Sequence, residues 1–143
     1  MRTIVISGLC GVMLAACSQP EAFPTTEKVP PPGSNEMLRA PISGVEGIEV
    51  LISDVVIPPN ATVPRHYHPG EEFLYVISGS AIQVEEGKPD QVLEAGDAYV
   101  IAPNAIHEPR GGPEGARAIV FRVHVADEPE RILVPEDGVP AED

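Results

Sequence analysis

The chain has 143 residues, a one-domain length, with nine basic and twenty-two acidic residues and a formal net charge of −13. That balance excludes a nucleic-acid binder, because nothing in it could neutralise a run of phosphates, and equally a polybasic membrane patch. With no tryptophan and few aromatics, platforms for stacking bases are missing as well.

Arg2 is the only charge before Glu21, and an apolar run from Ile4 to Ala16 follows it, ending in Leu14-Ala15-Ala16-Cys17. A basic start, a short apolar core and small residues describe an export signal, and the run is too short for the ~20 residues that span a bilayer. Leu-Ala-Ala-Cys resembles the bacterial lipobox, in which the cysteine thiol takes diacylglycerol and becomes the new N-terminus. Plain cleavage after Ala16 would want a small residue where Leu14 stands, so lipidation at Cys17 is the stronger expectation. Cys10 leaves with the signal, and the mature domain then has no thiol for a disulfide or a metal. Ser18 after the cysteine, rather than Asp, looks like an outer-membrane address if the cell is Gram-negative.

From Ser18 to Pro41 the chain is rich in proline, with Pro30-Pro31-Pro32-Gly33 at its centre. It reads as an extended tether without a strand, since no periodic run supports one. Beyond it, Gly47–Ile57 is β-branched and stops at Pro58-Pro59. Further strands are expected at 61–68, 73–78, 81–85, 91–94, 98–102, 105–108 and 117–125, with Ser78-Gly79-Ser80 as a turn. No window has a helical period. Short strands at steps of about ten residues predict an all-β antiparallel sandwich or barrel. In the last strand the more apolar parity, Ile119, Phe121, Val123 and Val125, is expected to face the core, which sends His124 outward. The tail from Ala126 carries seven acidic residues and is expected at the surface. The organisation is therefore a signal over 1–16, lipidated Cys17 with linker to 41, a barrel over 42–126 and an acidic tail over 127–143.

Two of the four histidines, His66 and His68, stand two apart, so a strand puts both imidazoles on one face. Glu72 follows a Pro69-Gly70 break that can turn a carboxylate back toward them, and His107 is the candidate fourth ligand. Imidazole and carboxylate together suit a divalent transition metal: Fe, Mn, Ni, Cu or Zn. Leu74 and Val76 share parity with Glu72 and should line the same interior, while Phe73, Tyr75 and Tyr67 point away. Arg65 and Arg110 flank ligand positions and are expected to be solvated.

His66-x-His68-x-x-x-Glu72, with Gly79 six residues further, resembles the first motif of the cupin superfamily, and Gly96-Asp97 through His107 resembles its second. Sixteen residues separate them, and the resemblance runs from about Ile48 to Val125. Asn60, Ala102, Asn104 and Gly111 depart from the expected pattern, but none is a ligand position. Asn60 and Asn104 replace glycine with the residue that best tolerates left-handed turns. The resemblance implies a single cupin jelly-roll with His66, His68, Glu72 and His107 on one metal, and a homodimer, although the prolines speak against strand exchange before Pro41.

Three functions follow from that reading. The first is a dioxygenase-like oxidoreductase acting on a small organic substrate, by the ligand set's resemblance to cupin dioxygenases. The second is a non-catalytic envelope protein that binds metal or a small ligand. The third is a structural lipoprotein in which metal stabilises the fold. No general base or nucleophile outside the metal shell is identifiable, so fold-level analogy carries the first. All place the protein in the cell envelope, attached to the membrane by lipid.

Overall fold

The computed structural model describes residues 28–135. The expected signal peptide, Cys17 and the first part of the linker lie outside these residues, as does the end of the tail. The centre of the fold is a ladder of the three longest β-rich stretches: β2 (Ile48–Ile57), β4 (Glu72–Gln83) and β7 (Arg110–Val125). β7 lies between the other two, antiparallel to both. Outside them are β1 (Gly33–Pro41) on β2, and β5 (Gln91–Glu94) and β6 (Ala98–Ile101) on β4. β3 (His66–Tyr67) and β8 (Ile132–Leu133) form a separate antiparallel pair. No helix occurs among the described residues, and none is long and apolar enough to cross a membrane. The expected all-β class is the observed one.

Alternation sends one side of each strand inward. Leu51, Val76, Leu93, Ile101 and Val120 are fully buried there. Two asparagines bend the chain as expected: Asn60 has φ +58° and Asn104 φ +60°.

Several expectations give way. Residues 33–41, read as tether, form β1, paired with β2 from Gly33↔Val56 to Pro41↔Glu49 with one register shift between Glu36 and Leu38. Most of its side chains are exposed. Backbone pairing with the free edge of β2 holds it, so it carries no apolar period to be read. Residues 61–68 are largely irregular, with only His66–Tyr67 as strand. Ser78-Gly79-Ser80 is no turn, because β4 runs through it with register shifts on both sides. Gly79, at φ +69°, allows this: a Cβ there would lie 2.1 Å from the Gly115 carbonyl oxygen.

The parity of β7 is the reverse of the expected one. Val120, Arg122 and His124 are buried, whereas Phe121 is 45% exposed. His124 therefore points inward. It does so beyond the site, with Nε2 3.9 Å from Glu49. Residues 127–135 lie mostly at the surface, as expected, but are tied to the fold: β8 pairs with β3, and Val134 is buried with its N–H donating to the Arg65 carbonyl at 3.0 Å.

Candidate metal centre

His66 sits on β3, His68 just beyond it, and His107 in the loop between β6 and β7. Paired backbone bonds hold His66 against His107, N–H to carbonyl in both directions at 3.0 and 2.8 Å. All three side chains are buried. One ring nitrogen from each lies within 4.8 Å of those of the other two.

The hydrogen bonds decide which nitrogen is free. Nδ1 of His66 meets the Pro64 carbonyl at 2.7 Å, that of His68 the Glu130 carbonyl at 2.5 Å, and that of His107 the Ala105 carbonyl at 2.9 Å. A carbonyl oxygen only accepts, so each Nδ1 is the N–H donor. A neutral ring then keeps its lone pair on Nε2. Burial, followed by repulsion from His107, pushes His66 down to about 3, and burial likewise lowers His68. Both are neutral at pH 7.

Glu72 reaches the cluster because Pro69-Gly70 turns tightly under β7. A Cβ on Gly70 would stand 1.5 Å from the Val123 carbonyl oxygen, so only glycine fits. Burial pushes the Glu72 carboxyl up, but the Arg122 guanidinium beside it outweighs that and holds the carboxyl below its usual range. Arg122 Nε donates to Oε2 at 2.6 Å. The same oxygen is 3.1 Å from His68 Nε2, a buried atom with no hydrogen-bond partner. Two lone-pair atoms with no proton between them repel at that distance. Adjacent ligands of one octahedral metal, each ~2.1 Å from it, stand about 3 Å apart. The donor set thus fits a divalent cation. Glu72 adjoins the cluster through His68 and is not among the three mutually close ligands.

Leu74 and Val76 line the same cavity as the histidines and Glu72, a space of about 380 Å³, as their parity predicts. Phe73 and Tyr75 are exposed on the other face, and Tyr67 is half-buried. Arg65 and Arg110 make exposed ion pairs with Glu86 and Glu108, at 2.6 and 3.2 Å.

Three residues of the site escape a reading of the sequence. Arg122 fell on the face of β7 taken as outward. Glu130 belongs to the supposed tail, yet its carboxylate accepts from Arg122 at 2.8 Å while its carbonyl holds His68. Gln83 lines the cavity because the register shift between Val76 and Ser78 moves the inward parity of β4 from even to odd positions. A usable signal existed only for Arg122, a cation set between Phe121 and Val123 in the apolar run of the last strand.

Residues 53–122 match the family model described as a cupin domain. Together with the all-β architecture and the histidine cluster, this match supports a cupin fold for that part of the chain. Among solved structures, the chain is similar to the DMSP lyase DddQ from Ruegeria pomeroyi DSS-3, at 21% identity and TM-score 0.55, over 71% of this chain and 53% of that one. It therefore spans about half the length of that enzyme. It is similar also to a cupin-like protein from Thermotoga maritima, at 26% identity and TM-score 0.51, over 71% of this chain and 78% of that one. A double-stranded β-helix protein from Klebsiella pneumoniae matches at 21% identity and TM-score 0.52, over 87% of this chain and 100% of that one. No curated protein matches the chain.

Proposed function

We propose that this protein holds one divalent transition metal on Nε2 of His66, His68 and His107, with Glu72 as fourth ligand, and acts on a small organic molecule in the adjoining cavity. The observation that supports it most is the 3.1 Å approach of Glu72 Oε2 to the unpartnered His68 Nε2. When bound, such a metal supplies Lewis-acid or redox chemistry at its open positions. The chain's own residues prepare that site. Arg122 keeps Glu72 ionised, three backbone carbonyls aim the imidazoles, and apolar walls such as Val76 and Val120 exclude water. We assign the reaction to the dioxygenase-like oxidoreductases, on the resemblance of the ligand set.

Elemental analysis of the purified protein tests the site. One metal per chain is expected, and none in a His66→Ala/His107→Ala variant; equal metal in both removes the reading. Oxygen uptake with flavonols, diketones and oxalate tests the reaction class. A full metal complement without uptake would favour a binding protein. One observation already leans that way: apart from exposed Arg131, every ionisable side chain lining the cavity is held by another group.

Leu14-Ala-Ala-Cys17 supports export and lipid attachment at Cys17, on the envelope side of the membrane. Fatty-acid labelling that survives Cys17→Ser would remove that reading. A second copy is proposed as partner, on the outer face of the sheet. Cross-strand register lines up Leu38, Ile52, Phe121, Phe73 and Val100 there, with no charge among them. In the next row the one carboxylate, Asp54, is already paired with Arg117 at 2.8 Å. On a chain of net charge −13, the uncharged row through Phe121 and Phe73 is where two copies can meet on apolar side chains.

A further inference from the structure

The cavity beside the histidines is apolar along most of its wall, with Ile57, Val76, Ala81, Leu93 and Val120 contributing buried side chains. Gln83 interrupts that wall. It is 2% exposed, yet its amide Nε2 has no hydrogen-bond partner in the protein. Buried amides in folded proteins are almost always satisfied, and one left bare costs stability. A leucine would fill the position without that cost. The carboxamide also reaches the interior because β4 gains an extra residue between Val76 and Ser78, which reverses its parity beyond that point. Its cross-strand neighbour Gln91 is exposed, the usual place for such a side chain.

We infer that Gln83 is a ligand-recognition residue, and that the cavity takes a small, largely apolar molecule whose carbonyl-type oxygen accepts a hydrogen bond from its Nε2. This rests on the cavity being the substrate pocket of the proposed metal centre. The volume of about 380 Å³ suits a compact organic molecule. A neutral acceptor fits better than a second carboxylate, because Arg122, the buried cation of the wall, is committed to Glu72 and Glu130. The soft terminal torsion of glutamine lets the donor turn toward an incoming oxygen.

A double-mutant-type cycle tests this on the purified full chain. Acetophenone and α-methylstyrene, which replaces the carbonyl oxygen by methylene, are titrated calorimetrically into wild type and Gln83→Leu. Gln83→Leu is expected to shift the preference about tenfold toward the hydrocarbon, the size of one hydrogen bond. Without ligand it should raise the thermal midpoint by about 4 °C, since a bare amide has been removed. An unchanged preference, or no binding of acetophenone to wild type, overturns the assignment; an ordered water satisfying Gln83 would give the first of these. Metal content measured on the same samples separates the two readings. A full complement with an unchanged preference removes the role of Gln83 alone. Absent metal with the tenfold shift intact removes the metal centre alone.

Discussion

Imidazoles held neutral in a buried cluster make the metal-free protein sensitive to acid. The native pKa of His66, about 3, lies below its unfolded value near 6.5, so the unfolded chain binds the extra proton first. Stability is full above about pH 6.5 and falls as pH drops from there toward 3, by about 1.4 kcal/mol per unit for such a group. Glu72, also lowered, adds stability that is present above its unfolded range and lost as pH falls through its native one. Denaturant titrations of the metal-free protein at pH 7 and pH 4.5 should show this loss, and His66→Gln should reduce it. Arg122 carries a second prediction at this scale. Arg122→Met leaves a buried carboxylate without its cation, and should cost about 3–5 kcal/mol. Adding Glu72→Gln should return part of that stability in urea denaturation, because the stranded charge is then gone.

At the scale of elements, the segment after β7 behaves as a strap across the site. Glu130 offers it two separable contacts: its carbonyl fixes His68, and its carboxylate pairs with Arg122. Glu130→Ala removes only the second, so metal affinity should fall by about tenfold or less. Deleting residues 129–143 removes both contacts together with β8, and should cost a further tenfold at least, within the range known for residues behind metal ligands. Equal affinities for the two variants, measured by competition with a chelating dye, would show that the carbonyl does not orient His68. The turn before β4 is as demanding. Gly70→Ala forces a Cβ into the Val123 carbonyl, backbone against backbone, and should cost about 3 kcal/mol while displacing Glu72.

At the scale of the whole molecule, the outer sheet face and the charge act against each other. Phe73, Phe121, Val100 and Leu38 are each more than two-fifths exposed, and the proposed dimer covers them. Phe73→Glu/Phe121→Glu should sediment as a monomer where wild type sediments as a dimer, with metal content unchanged because both side chains point away from the site. Low salt should weaken the wild-type dimer, since two chains of net charge −13 then repel over a longer range. A monomeric wild type at micromolar concentration would remove this interface.

The sequence by itself determined what local chemistry can specify. Turn residues and β-branched runs gave the all-β class, and spacing picked out His66, His68 and His107, which the fold brings together. Strand parity put Leu74 and Val76 inside, and Asn60 and Asn104 took the left-handed turns their side chains permit. What needed the tertiary structure were the contacts made across the chain. β1 exists because the edge of β2 offers it hydrogen bonds, and Glu130 matters because the strap lays it beside Arg122 and His68. Gln83 faces inward because the register shift between Val76 and Ser78 reverses the parity of β4. The apolar parity of β7 misled for a related reason: its inner side lines a polar site, while its outer side belongs to an exposed apolar row. Periodicity shows that a strand has two faces. Which face is the interior depends on what the neighbouring strands enclose.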